Sequence, residues 1–246
     1  MNWRYHIGRA ISHTLHATLA WRGLPLMNWF PYGLVWPYDA MRFARTRDLR
    51  TIFDVGANVG QTIRHLRPFF PAAQIHAFEP VPQTFATLAA SLSADRRVTL
   101  NPMALSDTPG EAQISTGRES VCNSLRVDRA GEPTVAVRVE TLDRYCAARR
   151  IACIDILKID VEGFEIAVLR GASRLLAEKR VRAIYAEVSF TPGDTGQTQF
   201  NDFADELTRH GFVFSGIYEG WRFRDRRYQL KFGNALFWCP HFNPAP

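Results

Sequence analysis

Thr51-Ile-Phe-Asp54-Val-Gly56-Ala-Asn58-Val-Gly60-Gln61 is the stretch on which the fold turns. Thr51–Val55 reads as a short apolar strand, and a glycine-containing turn follows it directly. Gln61–Phe69 then has helical character and stops at Pro71. A strand, a tight glycine turn and a helix in that order form a ligand-binding unit. Glycine lets the backbone turn sharply and approach a ligand without a Cβ in the way. The first turn of the helix behind it offers unpaired N–H groups. A dinucleotide cradle prefers G-x-G-x-x-G. Here Asn58 stands where the second glycine would be, and Asp54 precedes the turn. A carboxylate at that point suits a ligand that carries an amine.

Outward from this unit, strands and helices alternate. Gln74–Phe78 is a second strand, and Pro82 opens a helix to about Leu92, as proline commonly does at the first helical position. Val98–Asn101 is a third strand. Glu111–Ser115 and Thr134–Val139 form an antiparallel excursion. Thr141 can cap a helix to about Arg149. Ile154–Ile159 is an apolar run with the character of a strand buried on both faces. Phe164–Leu176 is helical with a division at Gly171, and Arg182–Val188 is another strand. Gln199–His210 is a helix ended by Gly211. Phe212–Tyr218 and Ala235–Cys239 have no helix between them, so an antiparallel hairpin is expected. The alternation predicts an α/β domain with a largely parallel sheet.

Two further groups carry chemistry. Glu79, in Phe78-Glu79-Pro80, ends the second strand nineteen residues after Gly60. An acid there can accept both hydroxyls of an adenosine ribose, which nicotinamide cofactors and S-adenosylmethionine share. At the end of the central strand lies Leu157-Lys158-Ile159-Asp160-Val161-Glu162-Gly163-Phe164-Glu165. Ligands of open α/β sheets bind at that edge. Clustered acids there are costly unless they meet water, partners or a ligand. Asp160 and Glu162 can orient or deprotonate a hydroxyl. With Glu187 they can also hold a divalent ion. Glu165 reads equally well as an acid in the first turn of the following helix.

Composition narrows the classes. The 246 residues are 46% apolar and 22% charged, which excludes a mostly disordered chain. Cys122, Cys146, Cys153 and Cys239 form no C-x-x-C pair and no zinc-ligand spacing. They fit reduced thiols in a cytosolic protein. No uncharged apolar run is long enough to span a membrane. Arg9 and His13 interrupt the stretch where a signal peptide would need its apolar core.

The net charge of +6 is unevenly placed. Residues 1–50 carry +5 and hold four of the six tryptophans; residues 51–220 carry −3; residues 221–246 carry +4. Ile7, Ile11, Leu15 and Leu19 recur on one stripe, so Trp3 to about Ala20 suits a short amphipathic helix. Pro25, Pro31 and Pro37 are expected to break any long element after it. The first 50 residues thus read as an Arg/Trp-rich helical extension, and residues 51–246 as the main domain. The extension packs on that domain or lies against a membrane surface. Near the end, Trp221-Arg-Phe-Arg-Asp-Arg-Arg-Tyr228 with Lys231 alternates aromatic and basic residues. Such a loop can be a solvated turn or can bind an anionic or glycan acceptor. Nucleic acid is a weaker reading of the same loop.

Six segments in this order, D-V-G-A-N-V-G, A-F-E-P, A-L-S-D (Ala104–Asp107), T-L-D (Thr141–Asp143), L-K-I-D-V-E-G-F-E and A-E-V (Ala186–Val188), closely resemble the FkbM-type family of S-adenosylmethionine-dependent methyltransferases. The resemblance covers roughly residues 51–190 and does not extend to the first 50. It implies a seven-stranded Rossmann-like class I methyltransferase fold. It implies S-adenosylmethionine as cofactor and methylation of a hydroxyl oxygen on a small-molecule, sugar or lipid-linked acceptor. It places Asp54, Gly56, Asn58 and Gly60 around the methionine part of the cofactor, Glu79 on the ribose, and Ala104, Leu105 and Ser106 along the adenine. Asp160 would lie beside the reacting methyl as base, with Glu162 second. Two rivals stand beside it: a nucleotide-dependent oxidoreductase, and a glycan- or membrane-binding protein without catalysis. Asn58 and the closing hairpin count against the first. The retained Asp54, Glu79 and Asp160 count against the second.

Overall fold

Ile154–Ile159 forms a strand whose six residues are all buried. A strand covered on both faces sits inside a parallel sheet with helices on each side. The computed structural model describes residues 30–116, 133–194, 196–226 and 228–244. In chain order these form α1 (Trp36–Ala44), β1 (Thr51–Val55), α2 (Gln61–Leu66), β2 (Gln74–Phe78), α3 (Pro82–Leu92), β3 (Val98–Asn101), β4 (Ala104–Leu105), β5 (Gly110–Ser115) and β6 (Thr134–Glu140). After them come α4 (Leu142–Arg149), β7 (Ile154–Ile159), α5 (Glu165–Arg170), α6 (Ser173–Ala177), β8 (Val181–Ser189), α7 (Phe200–Arg209), β9 (Val213–Arg222) and β10 (Leu230–Trp238).

The main sheet has seven strands in the order β3-β2-β1-β7-β8-β10-β9. The first five run parallel, while β10 is antiparallel to both β8 and β9. This is the class I methyltransferase architecture that the resemblance implies, hairpin included. A dinucleotide fold would continue with parallel strands in the order 3-2-1-4-5-6. A smaller sheet, β4-β6-β5, is the excursion; β5 and β6 pair antiparallel, and the short β4 lies parallel to β6. Its two residues give too short a run to be read from sequence.

Period-two alternation divides the core between the two faces of the sheet. Ile52, Ile75, Ile156, Ala183 and Leu236 pack with α1, α2 and α3. Phe53, Leu157, Ile159 and Ile184 pack with α4, α5, α6 and α7. Thr141 Oγ1 accepts from Arg144 N at 3.3 Å, capping α4. The helix expected over Phe164–Leu176 is two helices, with Gly171 ending the first.

Two elements differ from the sequence reading. The hairpin strands are longer than expected, β9 reaching Arg222 and β10 beginning at Leu230, so Trp221, Arg222 and Lys231 lie in strands rather than in a loop. Pro37 does not break structure; it stands in the first turn of α1, where its missing N–H is not needed. Trp36 stacks on Tyr185 at 4.2 Å. The fully buried Asp39 carboxylate accepts from Gly33 N at 2.7 Å, Arg42 Nη1 at 2.9 Å and Tyr218 OH at 2.7 Å. These bonds tie the segment before β1 to β9, so residues 36–41 belong to the core. The amphipathic helix expected over Trp3 to Ala20 lies outside the described residues, as does Cys122. Among the described residues no helix is long and apolar enough to cross a membrane.

Candidate active site

A cleft opens at the carboxyl ends of β1, β2, β7 and β8, the edge where α/β sheets bind ligands. Of the residues predicted from sequence, Gly56, Asn58, Glu79, Ala104, Leu105, Asp160 and Glu162 line it. Asp54, Gly60 and Ser106 do not.

The turn after β1 sets the cleft floor. Gly56 has φ +79°, and a Cβ there would stand 1.9 Å from the carbonyl oxygen of Asp160. Only glycine lets the β1 turn pass this close to the end of β7. Gly56 N and Ala57 N donate to Phe78 O at 3.0 and 2.9 Å, which fastens the turn to β2. Asn58 follows at φ +48°, a conformation Asn tolerates better than most residues. Gly60 starts α2 and packs against Leu88 and Leu92 of α3 rather than the cleft.

Beneath the floor lies a buried ion pair. Lys158 Nζ is 2.9 Å from Asp54 Oδ1, 3.5 Å from Asp160 Oδ2, and donates to Gly56 O at 3.0 Å. Burial pushes the Asp54 carboxyl up, and the ammonium of Lys158 pulls it back. The two acids hold the Lys158 ammonium charged against a burial that opposes it. Asp54 therefore reaches the cleft through Lys158, by fixing the turn and Asp160. Lys158 was missed as a site residue. Its signal is a lone ammonium inside an apolar strand, which needs a partner.

Glu79 is 6% exposed and held from two sides: Asn58 N donates to Oε2 at 3.1 Å and Val81 N to Oε1 at 3.0 Å. Burial raises its pKa, and those two N–H groups oppose the rise. Each carboxylate oxygen keeps a second lone pair, so the group can still accept two hydroxyls. Beside it the lining is apolar, from Phe78, Val81, Met103, Leu105 and Ile114. Ser106 lies outside this wall; its N–H donates to Glu140 O at 3.0 Å and its carbonyl faces Gly171.

At the other end of the cleft stand the acids. Glu162 has φ +53°, and its Oε2 accepts from Gln197 Nε2. Burial and the charge of Asp160 push the Glu162 carboxyl up to about 7. Glu165 points away from the cleft: it accepts from Val161 N, Gly163 N and Thr198 Oγ1 and braces the turn. Its reading as an acid of the first helical turn therefore suffices. Glu187 of β8 completes the lining. Among the described residues no three His, Cys, Asp or Glu side chains form a metal-holding group.

A second residue missed from sequence is Gln61. It lines the cleft, and its Oε1, like Asn58 Oδ1, is buried without a hydrogen-bond partner. Two orphaned acceptors in one cleft call for a donor from a ligand. An amine supplies it. The donor set therefore fits S-adenosylmethionine: amide oxygens for the amine, Glu79 for the ribose, an apolar wall for the base and carboxylates toward the sulfonium.

Residues 54–214 match the family model described as the methyltransferase FkbM domain. The chain belongs to the FkbM methyltransferase family. As such it is an S-adenosylmethionine-dependent methyltransferase, which removes the oxidoreductase and non-catalytic readings. The chain is 30% identical over 193 residues to 31-O-demethyl-FK506 methyltransferase FkbM of Streptomyces tacrolimicus, covering 66% of this chain and 72% of that one. It is 26% identical over 172 residues to 2-O-methyltransferase NoeI of Sinorhizobium fredii, covering 63% and 70%. It is 26% identical over 146 residues to hexuronic acid methyltransferase AglP of Haloferax volcanii, covering 58% of each.

Proposed function

We propose that this methyltransferase acts on a hydroxyl oxygen of a small-molecule, sugar or lipid-linked acceptor, and that the acceptor carries negative charge. The observation that carries the cofactor half is the paired orphan oxygens of Asn58 and Gln61 beside the pinned Glu79. Hydroxyl acceptors are supported by the relatives, two of which are named for O-methylation and one for a hexuronic acid.

The cofactor supplies a methyl group already activated by its positive sulfur. The protein's task is then to align a hydroxyl and exclude water. Asn58 and Gln61 hold the amine and Glu79 the ribose, while Ala104 and Leu105 flank the base. Asp54, through Lys158, positions Gly56 and Asp160. Asp160 and Glu162 face the reacting end and orient the acceptor hydroxyl.

Charge supports the anionic acceptor. β10 runs antiparallel to β8, and Phe232 pairs with Ser189. This register carries the tip of the β9–β10 hairpin to the edge where the cleft opens. Trp221 and Phe232 stack there at 5.7 Å, with Lys231 Nζ 5.6 Å from the Phe232 ring. Arg222 and Arg226 flank them, Arg222 donating to Tyr228 O. An aromatic platform with fixed cations suits a charged glycoside. Arg4, Arg9 and Arg22, all before α1, support contact of that part of residues 1–50 with an anionic membrane surface in the cytoplasm.

The test of the cofactor reading is thermal. S-adenosylhomocysteine should raise the melting temperature and NAD should leave it unchanged. For the acceptor, extracts from cells lacking the gene should gain a CH₂-heavier product by mass spectrometry when enzyme and S-adenosylmethionine are added. A product methylated on nitrogen or carbon would overturn the hydroxyl assignment.

A further inference from the structure

Methylating a hydroxyl leaves a proton behind. Three carboxylates line the reacting end of the cleft, Asp160, Glu162 and Glu187. Two are engaged: Asp160 with Lys158 at 3.5 Å, and Glu162 with the Gln197 amide. Glu187 takes no hydrogen bond and no ion pair from any described residue. Of the three, it keeps all of its lone pairs for an incoming hydroxyl.

Its surroundings decide its basicity. The charges of Asp160 just past β7, of Glu162 in the turn into α5 and of Glu165 at the start of α5 act on it together, and Lys158 of β7 opposes them. On β10 its register partner is the neutral Asn234, which donates to Glu219 at 3.3 Å. Three anions thus act against one ammonium, and that ammonium already serves Asp54 and Gly56. Burial first, then these like charges, push the Glu187 carboxyl up to about 8. The free cleft therefore holds more acid than it can keep ionised, and a bound cation relieves it.

We infer that Glu187 accepts the hydroxyl proton, and that the positive charge of the incoming cofactor readies it by displacing the proton it carries. This rests on the methyltransferase reading above. The acceptor O–CH₃ bond forms as the S–CH₃ bond breaks, and the hydroxyl proton passes to a Glu187 oxygen; nothing is oxidised or reduced. The sulfur is then neutral, so the affinity of Glu187 for a proton returns at the stage when one must be taken. That proton leaves when the next molecule of cofactor binds.

The test needs no acceptor. Binding of S-adenosylmethionine and of S-adenosylhomocysteine is measured by calorimetry in buffers of different ionisation enthalpy, for wild type and Glu187→Gln. Ionisations of the ligand itself cancel between the two proteins. At about pH 7.5 wild type should release a measurably larger fraction of a proton than the variant with S-adenosylmethionine. With the neutral thioether the two proteins should differ by clearly less. Glu187→Asp keeps a titrating carboxyl and should keep the release. Equal release from wild type and Glu187→Gln with S-adenosylmethionine would overturn the role. So would an equal difference with both ligands. If Glu187→Gln does not fold, the Asp variant carries the test: no extra release with the sulfonium over the thioether overturns it. Wild type that binds neither nucleoside would overturn the methyltransferase reading, and this role with it.

Discussion

Gly56 and Gly193 give a controlled comparison, because both have φ +79° and only one is crowded. At Gly193, in the loop after β8, a Cβ would meet nothing within 4 Å. Alanine there costs only the left-handed backbone, about 1–2 kcal/mol. At Gly56 the same Cβ stands 1.9 Å from Asp160 O, and real Cβ atoms almost never come within 3.0 Å, so the backbones must part by at least 1.1 Å (3.0 − 1.9). Both are held: Gly56 N donates to Phe78 O at 3.0 Å and Asp160 N to Val55 O at 3.0 Å. Overpacking adds about 1–3 kcal/mol, and a lost backbone hydrogen bond about 0.5–1.5 kcal/mol. Gly56→Ala should therefore cost about 2.5–6.5 kcal/mol against about 1–2 for Gly193→Ala. At roughly 2–4 °C per kcal/mol for a chain of this size, melting temperatures should fall by about 5–25 °C and about 2–8 °C. Urea unfolding of both variants reads the difference directly. Calorimetry with S-adenosylhomocysteine should show Gly56→Ala weakened as well, since the turn that carries Asn58 has moved. Equal destabilisation of the two variants, within about 0.5 kcal/mol, would mean that the close approach of β1 and β7 is not what the glycine serves.

Glu79→Ala should weaken S-adenosylhomocysteine by roughly 100-fold or more, since it removes two charge-assisted bonds worth about 1.5–3 kcal/mol each; unchanged affinity by calorimetry would remove the ribose role. Lys158→Met leaves Asp54 buried and unpaired, and should cost about 3–5 kcal/mol in chemical denaturation. The double variant with Asp54→Leu should recover much of it, and a double variant as unstable as the single would show that the charge is not the cause. His76, stacked on Phe53 and 2.8 Å from Tyr145 OH, has its pKa lowered to about 4 by burial and then by Arg149. The unfolded chain binds that proton more readily, so stability is full above about pH 6.5 and falls by roughly 1–2 kcal/mol as pH drops toward 4. His76→Phe should flatten this limb in denaturant midpoints taken across that range. Replacing Arg222, Arg224 and Arg226 together by Ala should raise the KM for acceptor at least several-fold and leave S-adenosylhomocysteine affinity alone; a KM that does not move removes the hairpin from acceptor binding.

What the sequence made legible follows the range of the interactions. The β1 turn, the alternation of strands and helices and the existence of the closing hairpin are local patterns, and each appears in the fold, the hairpin with longer strands than its apolar runs indicate. Glu79 and Asp160 were legible because they end strands, and strand ends gather at one edge. Gln61 was not, because its importance lies in an unpaired oxygen that only the folded cleft reveals. α1 was hidden for a related reason. Pro37 starts or stops a helix depending on what its neighbours bury, and Trp36 is buried by Tyr185, far along the chain. Asp54 was legible as a residue but not in its direction: its partner Lys158 comes from another strand, and the pair lies under the floor.

The net charge of +6 looks at odds with a cleft lined by Glu79, Asp160, Glu162 and Glu187. Distance resolves this. Charges separated by more than about 8 Å of solvent act almost independently at physiological salt, so each surface presents its own sign. The buried ammonium of Lys158 is already committed to Asp54, which leaves the cleft acidic toward a ligand. That suits a cofactor whose reacting sulfur is positive. The hairpin at the same sheet edge is basic and aromatic, which suits an acceptor of the opposite sign. If both reactants are charged, one edge of the sheet sorts them: the cation goes to the carboxylates and the anion to the arginines, with Glu187 on the boundary where a proton must change hands. Raising the salt should then weaken acceptor binding more than cofactor binding, because the arginines are exposed and the carboxylates are only partly so.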